Sequence, residues 1–100
     1  MTNAKMNKKE LDFYAMGYED ISNELRRIAL KKILEQMEIC DITFSQYQEA
    51  TDEMNLASAL ERIWMSEEDT CKGMRKLYEE MFGEKAPYTR NKIRDLISTL

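Results

Sequence analysis

The feature that most constrains the fold is a run of apolar residues with helical spacing between residues 21 and 40. At 100° per residue these positions cover roughly two-thirds of the circumference of a helix. They are Ile21, Leu25, Ile28, Ala29, Leu30, Ile33, Leu34, Met37 and Cys40. A helix with so wide an apolar surface must contact partners on several sides. We therefore expect it, over about residues 19–40, to be the central helix of a bundle or the seam of a dimer.

Capping signals divide the rest of the chain into shorter helices. Asp41-Ile42-Thr43 interrupts the apolar pattern, and Asn55 and Ser66 each precede a new amphipathic segment. Gly83 is typical of a helix end and Thr89 of a helix start. With only 3 Gly, 1 Pro and no sustained alternation of apolar and polar residues, the chain is predicted to be all-α. We expect a compact bundle of five to six helices around the long central helix.

The predicted domain organisation is simple. Residues 1–6 form a flexible N-terminal tail, and residues 7–100 form a single helical domain that opens with a short helix ending at Gly17. A terminal helix, about residues 89–100, follows the Lys85–Pro87 linker.

The composition also indicates the compartment. No stretch is long and apolar enough to span a bilayer, and acidic residues follow the N-terminal lysines where a signal peptide needs an apolar core. These features predict a cytoplasmic protein. Its two cysteines, Cys40 and Cys71, are then expected to be free, buried thiols, although a disulfide between them stays open as the less favoured alternative.

Enzymatic chemistry has few residues to draw on. The sequence has no His, which removes the commonest general base, and it has no glycine-rich phosphate loop. A Mg²⁺ enzyme built on the carboxylates near Glu49 and Glu53, or on Glu67–Asp69, is the remaining alternative. A solvated helix face explains these carboxylates more simply. We predict a non-enzymatic protein without cofactor or metal.

Charge is distributed unevenly along the chain. The formal net charge is −4, but residues 36–71 carry nine acidic residues against Arg62 alone, a local charge of −8. Such a region attracts basic surfaces and repels phosphate. We predict that it binds a protein partner with a basic surface, such as a host protein that handles nucleic acid. The residues expected to contact this partner are Glu49, Asp52, Glu53, Glu61 and, as an apolar anchor, Trp64.

The C-terminal segment supports an alternative function. It combines cations with one aromatic residue near a helix start, a pattern that suits nucleic-acid contact. The candidate residues are Lys85, Tyr88, Arg90, Lys92 and Arg94. A helix-turn-helix over residues 48–64 is less favoured, because the turn glycine is missing and the second helix has a single cation, Arg62. The alternative is thus a small nucleic-acid-binding accessory factor.

Residues 28–56 resemble the short helical hairpin called SHOCT. The resemblance is carried by Leu30-Lys31-Lys32-Ile33-Leu34, Ile39, Asp41-Ile42-Thr43, Tyr47 and Ala50. The chain departs from the family at Glu38-Ile39-Cys40, where the family has a turn glycine, and at Phe44-Ser45-Gln46, where it has acidic residues. The resemblance implies an interaction or oligomerisation module of bacteria or mobile elements, with a homodimer as one option. In size and charge alone, the chain also resembles small phage-encoded inhibitors such as anti-CRISPR proteins.

Overall fold

A computed structural model describes residues 17–50 and 52–100, and this part of the chain is helical without strands. Helix α1 spans Tyr18–Glu49, α2 spans Met54–Phe82 and α3 spans Arg90–Thr99. The prediction of an all-α protein is confirmed. The expected tail and the first short helix fall largely on residues 1–16 and lie outside the described residues.

The molecule is an extended helical hairpin and not a compact bundle of five to six helices. Its extents are 65 × 29 × 21 Å and its radius of gyration is 18.7 Å, whereas a compact chain of this length has a radius of about 13 Å. The predicted bundle is wrong because two of the expected helix breaks do not occur. Uninterrupted, α1 and α2 are long enough to pack against each other over most of their length.

The first missing break is at Asp41-Ile42-Thr43, which lies inside α1. Thr43 is buried, with 7% of its surface exposed, and Asp41 forms an ion pair with Arg90 of α3. These tertiary contacts stabilise the helical conformation of Asp41 and Thr43, although the local preference of both residue types is for a helix cap or a turn. The central helix predicted to end near residue 40 continues to Glu49.

The predicted break near Asn55 is confirmed as the turn of the hairpin. The backbone N–H of Ala50 donates to the carbonyls of Gln46 and Tyr47, and the N–H of Glu53 donates to Ala50. The residue that precedes the first turn of α2 is Glu53, two positions before the expected cap.

The second missing break is at Ser66, where α2 continues through Glu67 and Glu68. These two carboxylates are half-buried, and the Gln36 side chain donates to the backbone carbonyl of Glu67 at 3.0 Å. The acidic pair thus lies against α1 and does not begin a new helix. The predicted end at Gly83 is confirmed, since Gly83 has the left-handed φ of 69° that favours glycine.

The contact between α1 and α2 has the spacing of a two-helix coiled coil. Residues facing the partner alternate at intervals of 4 and 3, an average of about 3.5 residues. They are Arg26, Leu30, Ile33, Met37, Cys40, Phe44 and Tyr47 in α1, and Leu60, Trp64, Glu67, Cys71, Met74 and Tyr78 in α2. This seam holds the core, in which Leu30, Ile33 and Tyr78 are at most 1% exposed.

The linker and α3 are held on one side of the hairpin. Arg75 of α2 donates to three successive carbonyls of the linker, those of Ala86 at 3.3 Å, Pro87 at 2.7 Å and Tyr88 at 3.3 Å. The predicted cap at Thr89 is confirmed, because its hydroxyl accepts from the backbone N–H of Lys92. From there, α3 packs on α1.

Candidate interaction surfaces

The four carboxylates predicted to bind a partner lie at or near the turn of the hairpin. We call Glu49, Asp52, Glu53 and Glu61 the acidic turn end, and all four are exposed. Within the described ranges no salt bridge joins any of them to a cation. Glu61 accepts a hydrogen bond from the Tyr47 hydroxyl at 2.8 Å, and this bond raises the pKa of Tyr47. The turn end therefore keeps its negative charge available to a partner.

Two apolar side chains lie directly beside these carboxylates. Met54 is 83% exposed and Leu56 is 50% exposed, at the first turn of α2. A flexible methionine next to unpaired charges combines an adaptable apolar contact with electrostatic attraction. Met54 was not among the predicted contact residues, although its position next to the predicted break at Asn55 indicated that it lies at a turn.

Trp64 is placed differently from the carboxylates with which it was grouped. It lies in the seam between α1 and α2, packs against the hydrophobic core and contacts Phe44 at a ring distance of 5.0 Å. It is half-buried, so only part of the ring can reach a partner.

The five residues of the predicted basic segment do not form one surface, because four of them line two separate grooves. Lys85 and Tyr88 face Lys72, Arg75 and Lys76 of α2 across a groove of about 270 Å³. We call these five residues the basic groove. The ring of Tyr88 is 77% exposed and lies 5.5 Å from the guanidinium of Arg75.

Arg90 and Arg94 line the second groove, between α1 and α3, which has a volume of about 550 Å³. This groove has mixed charge, and Arg90 is paired there with Asp41. Lys92, the remaining predicted cation, is exposed and belongs to neither groove.

The basic groove depends on three cations that sequence analysis did not select. Arg75 and Lys76 lie three and four positions after Lys72, which places all three on one side of a helix. That spacing was visible in the sequence. Their proximity to Lys85 and Tyr88 was not, because it depends on how the linker folds back along α2.

The two cysteines occupy the seam as free, buried thiols, as predicted. Burial, and after it the neighbouring Glu68 carboxylate, raise the pKa of the Cys40 thiol to about 11. A thiol with such a pKa is protonated at neutral pH and is a poor nucleophile. Cys40 thus acts as a small apolar residue of the core.

Neither a metal-binding cluster nor a membrane-spanning helix is formed by the part of the chain that the structure describes. No group of three or more Cys, Asp or Glu side chains there is arranged to hold a metal ion. None of the helices described has both the length and the apolar character needed to cross a membrane. Comparison with protein-family models, curated proteins and solved structures finds no match to this chain.

Proposed function

We propose that this protein is a non-enzymatic interaction module whose acidic turn end docks on a basic surface of another protein. A basic groove that normally holds nucleic acid has the required charge, so the favoured partner is a nucleic-acid-handling protein of a bacterial host. Occupying such a groove would inhibit the partner. This mode of action matches the small size and negative charge that the chain shares with phage-encoded inhibitors, including anti-CRISPR proteins.

The observation that carries the proposal is the combination of charge and apolar surface at the turn. Glu49, Asp52 and Glu53 are exposed and form no ion pair with the described residues. Met54, immediately beside them, is almost fully exposed. Unpaired surface charges increase the rate of encounter with an oppositely charged partner, and an apolar side chain at their centre slows dissociation.

Affinity capture with matched variants tests the proposal. Wild-type protein and a Glu49→Lys/Asp52→Lys/Glu53→Lys variant are immobilised, and the proteins captured from a bacterial lysate are compared by quantitative mass spectrometry. We expect a basic protein to be captured by the wild type and depleted at least tenfold by the variant. Retention of that protein by the variant would contradict the proposal.

A control variant separates the loss of negative charge at the turn from a general effect of charge reversal on folding. Asp69→Lys/Glu80→Lys changes two exposed carboxylates of α2 that lie away from the turn. Capture of the basic partner should persist with this variant. It should also weaken as salt rises, because salt screens attraction between exposed charges.

The basic groove supports a second candidate function, nucleic-acid binding. Four cations and an exposed aromatic ring line one concave surface, together with a single carboxylate, that of Glu79. This combination attracts the phosphate backbone and offers a ring on which a base can stack.

A binding assay with random DNA separates the two candidates. Fluorescence anisotropy at low salt, with single-stranded and duplex oligonucleotides, should show binding that Lys72→Glu/Lys76→Glu abolishes if the groove is the functional surface. The acidic-module proposal predicts no binding to either oligonucleotide.

A further inference from the structure

Helix α1 carries a second apolar stripe, whose aliphatic residues nearest the centre are exposed; two of its residues, Glu35 and Ile42, also line the edge of the groove between α1 and α3. The stripe repeats the 4 and 3 spacing of the seam, about 120° away around the helix. Its members are Ile21, Leu25, Ile28, Lys32, Glu35, Ile39, Ile42 and Gln46. Its four aliphatic residues nearest the centre are between 42% and 54% exposed. A helix with two such stripes suits contact with two partners, of which α2 is one.

The order of residues in the stripe is symmetric about its centre. Lys32 and Glu35 occupy the middle, and aliphatic pairs flank them on both sides. If a second α1 lies antiparallel on this stripe, Lys32 of each copy faces Glu35 of the other. Ile28 then faces Ile39, and Leu25 faces Ile42. The three central layers are each matched in size or in charge, as suits a self-complementary interface with two-fold symmetry, and the outermost layer places Ile21 opposite the amide of Gln46.

We propose that this face binds a second copy of the chain, with the two α1 helices antiparallel about a two-fold axis between residues 33 and 34. Within one chain Lys32 and Glu35 form an exposed ion pair with an N–O distance of 3.6 Å. In the dimer, the ion pair within each of the two chains is replaced by an ion pair between the chains, so the number of ion pairs is unchanged. The inference does not depend on the proposed function.

The face is large enough for a stable dimer. Because α1 and α2 run in opposite directions, Ile63, Leu77 and Met81 of α2 fall on the same side of the hairpin as the stripe, and these three are 50–58% exposed. Two helix widths over the 26 residues of the stripe give a face of about 20 Å by about 40 Å, or about 800 Å² per copy. This area is that of a standard specific interface.

The central charges favour a second copy over a different partner. A uniformly basic surface would oppose Lys32, and a uniformly acidic surface would oppose Glu35. A reversed copy of the same stripe satisfies both. Charged residues within an apolar stripe commonly fix the register and orientation of paired helices.

Light scattering after gel filtration tests the dimer. We expect the mass of a dimer at about 100 µM protein, and the mass of a monomer for Ile28→Lys/Ile39→Lys, which places lysines opposite each other. The matched control is Met65→Lys, which replaces an exposed apolar residue on another side of α2 and should stay dimeric. Circular dichroism confirms that each variant is folded.

A mixing experiment tests the antiparallel register. Lys32→Glu alone places four carboxylates at the centre, and Glu35→Lys alone places four lysines there, so each variant should dimerise at least tenfold more weakly than the wild type. An equimolar mixture should form a heterodimer with wild-type affinity. Mixing cannot restore the pair within a chain, so this rescue depends on contact between chains.

Three results would overturn the proposal. The first is a wild-type monomer at every concentration, as expected if another segment of the chain or a different protein covers this face. The second is a dimer that Ile28→Lys/Ile39→Lys leaves intact. The third is a mixture of the two charge variants that associates no better than its components.

Discussion

At the residue scale, Tyr78 places a polar hydroxyl in the core on a fully buried side chain. The side chain is 1% exposed, and its hydroxyl donates to the Glu84 carboxylate at 2.9 Å. The other oxygen of that carboxylate binds Arg26 at 2.7 Å. Burial, followed by the bond to Glu84, raises the pKa of Tyr78 to about 12. The Glu84 carboxylate therefore connects both helices to the residues that follow α2.

This raised pKa predicts a loss of stability at alkaline pH. In the unfolded chain a tyrosine ionises near its ordinary pKa of about 10. Between pH about 10 and about 12 the unfolded state loses its proton while the folded state keeps it, so the free energy of unfolding falls. Below pH 10 this contribution is fully present. In Tyr78→Phe the alkaline fall should be smaller, as measured by urea unfolding at several pH values. An equal fall in both proteins would contradict the assignment.

The buried thiol of Cys40 leads to a prediction about reactivity. Since its pKa is raised to about 11 and the side chain is 1% exposed, we expect no reaction with a thiol reagent at neutral pH in the native protein. Modification should occur in denaturant. A Cys71→Ser variant isolates the signal of Cys40, and rapid modification of that variant while folded would show that the seam is open.

At the element scale, the linker and α3 depend on Arg75. Its guanidinium donates to three backbone carbonyls and to the Met37 sulfur at 3.5 Å. Lysine has a single ammonium group and cannot make this set of bonds. Arg75→Lys should lower the free energy of unfolding by about 1–3 kcal/mol. It should also speed hydrogen exchange in α3 while leaving exchange in the centre of α1 nearly unchanged. The neighbouring exposed residue supplies the control, Lys76→Arg, and unchanged exchange in α3 of Arg75→Lys would contradict this role.

Two glycines of the same helix predict opposite effects of alanine. Gly83 ends α2 with φ of 69°, a conformation that costs other residues about 1–2 kcal/mol. Gly73 lies within the helix with open space around it, where alanine is favoured over glycine by up to about 1 kcal/mol. Denaturant unfolding should show that Gly83→Ala destabilises the protein and Gly73→Ala stabilises it. Effects of the same sign would be inconsistent with the described end of α2.

The helix boundaries that could be predicted from sequence are those that local chemistry determines. Gly83 ends a helix because of its backbone conformation, and Thr89 begins one through a bond to a residue three positions away. The breaks predicted at Asp41-Ile42-Thr43 and at Ser66 also rested on local preference. They are absent because contacts between distant residues, such as Asp41 with Arg90 and Gln36 with Glu67, stabilise continuous helices.

At the scale of the whole molecule, the fold is built from two long helices and not from several short ones packed around a common core. Two helices of 32 and 29 residues, joined by a short turn, bury one side of each helix and leave much of the rest exposed. The apolar character of α1 on several sides was predictable, and it was assigned either to a bundle of helices that the described chain does not form or to a dimer seam. The carboxylates of the turn were predictable from charge alone. The basic groove was not, since it joins residues 72–76 to residues 85–88 through the fold.

The same shape separates the candidate surfaces. The acidic turn end lies at one end of the hairpin, whereas the basic groove begins at residue 72. At 1.5 Å per residue, Lys72 lies about 29 Å along the helix axis from Glu53 and about 17 Å from Glu61. A variant of one surface should therefore leave the others intact. Lys72→Glu/Lys76→Glu is expected to leave dimerisation through α1 within about twofold, as measured by light scattering across a concentration series.

The central claim is that the turn of the hairpin contacts another protein, and site-specific photo-crosslinking tests it most directly. A benzoylphenylalanine residue replaces Met54 at the acidic turn end or Met65, an exposed methionine further along α2, and the protein is irradiated in a bacterial lysate. We predict a discrete adduct with a basic protein from position 54 that is absent from position 65 and lost when Glu49, Asp52 and Glu53 are replaced by lysine. Equal adducts from both positions, or an adduct that survives the charge reversal, would contradict the account.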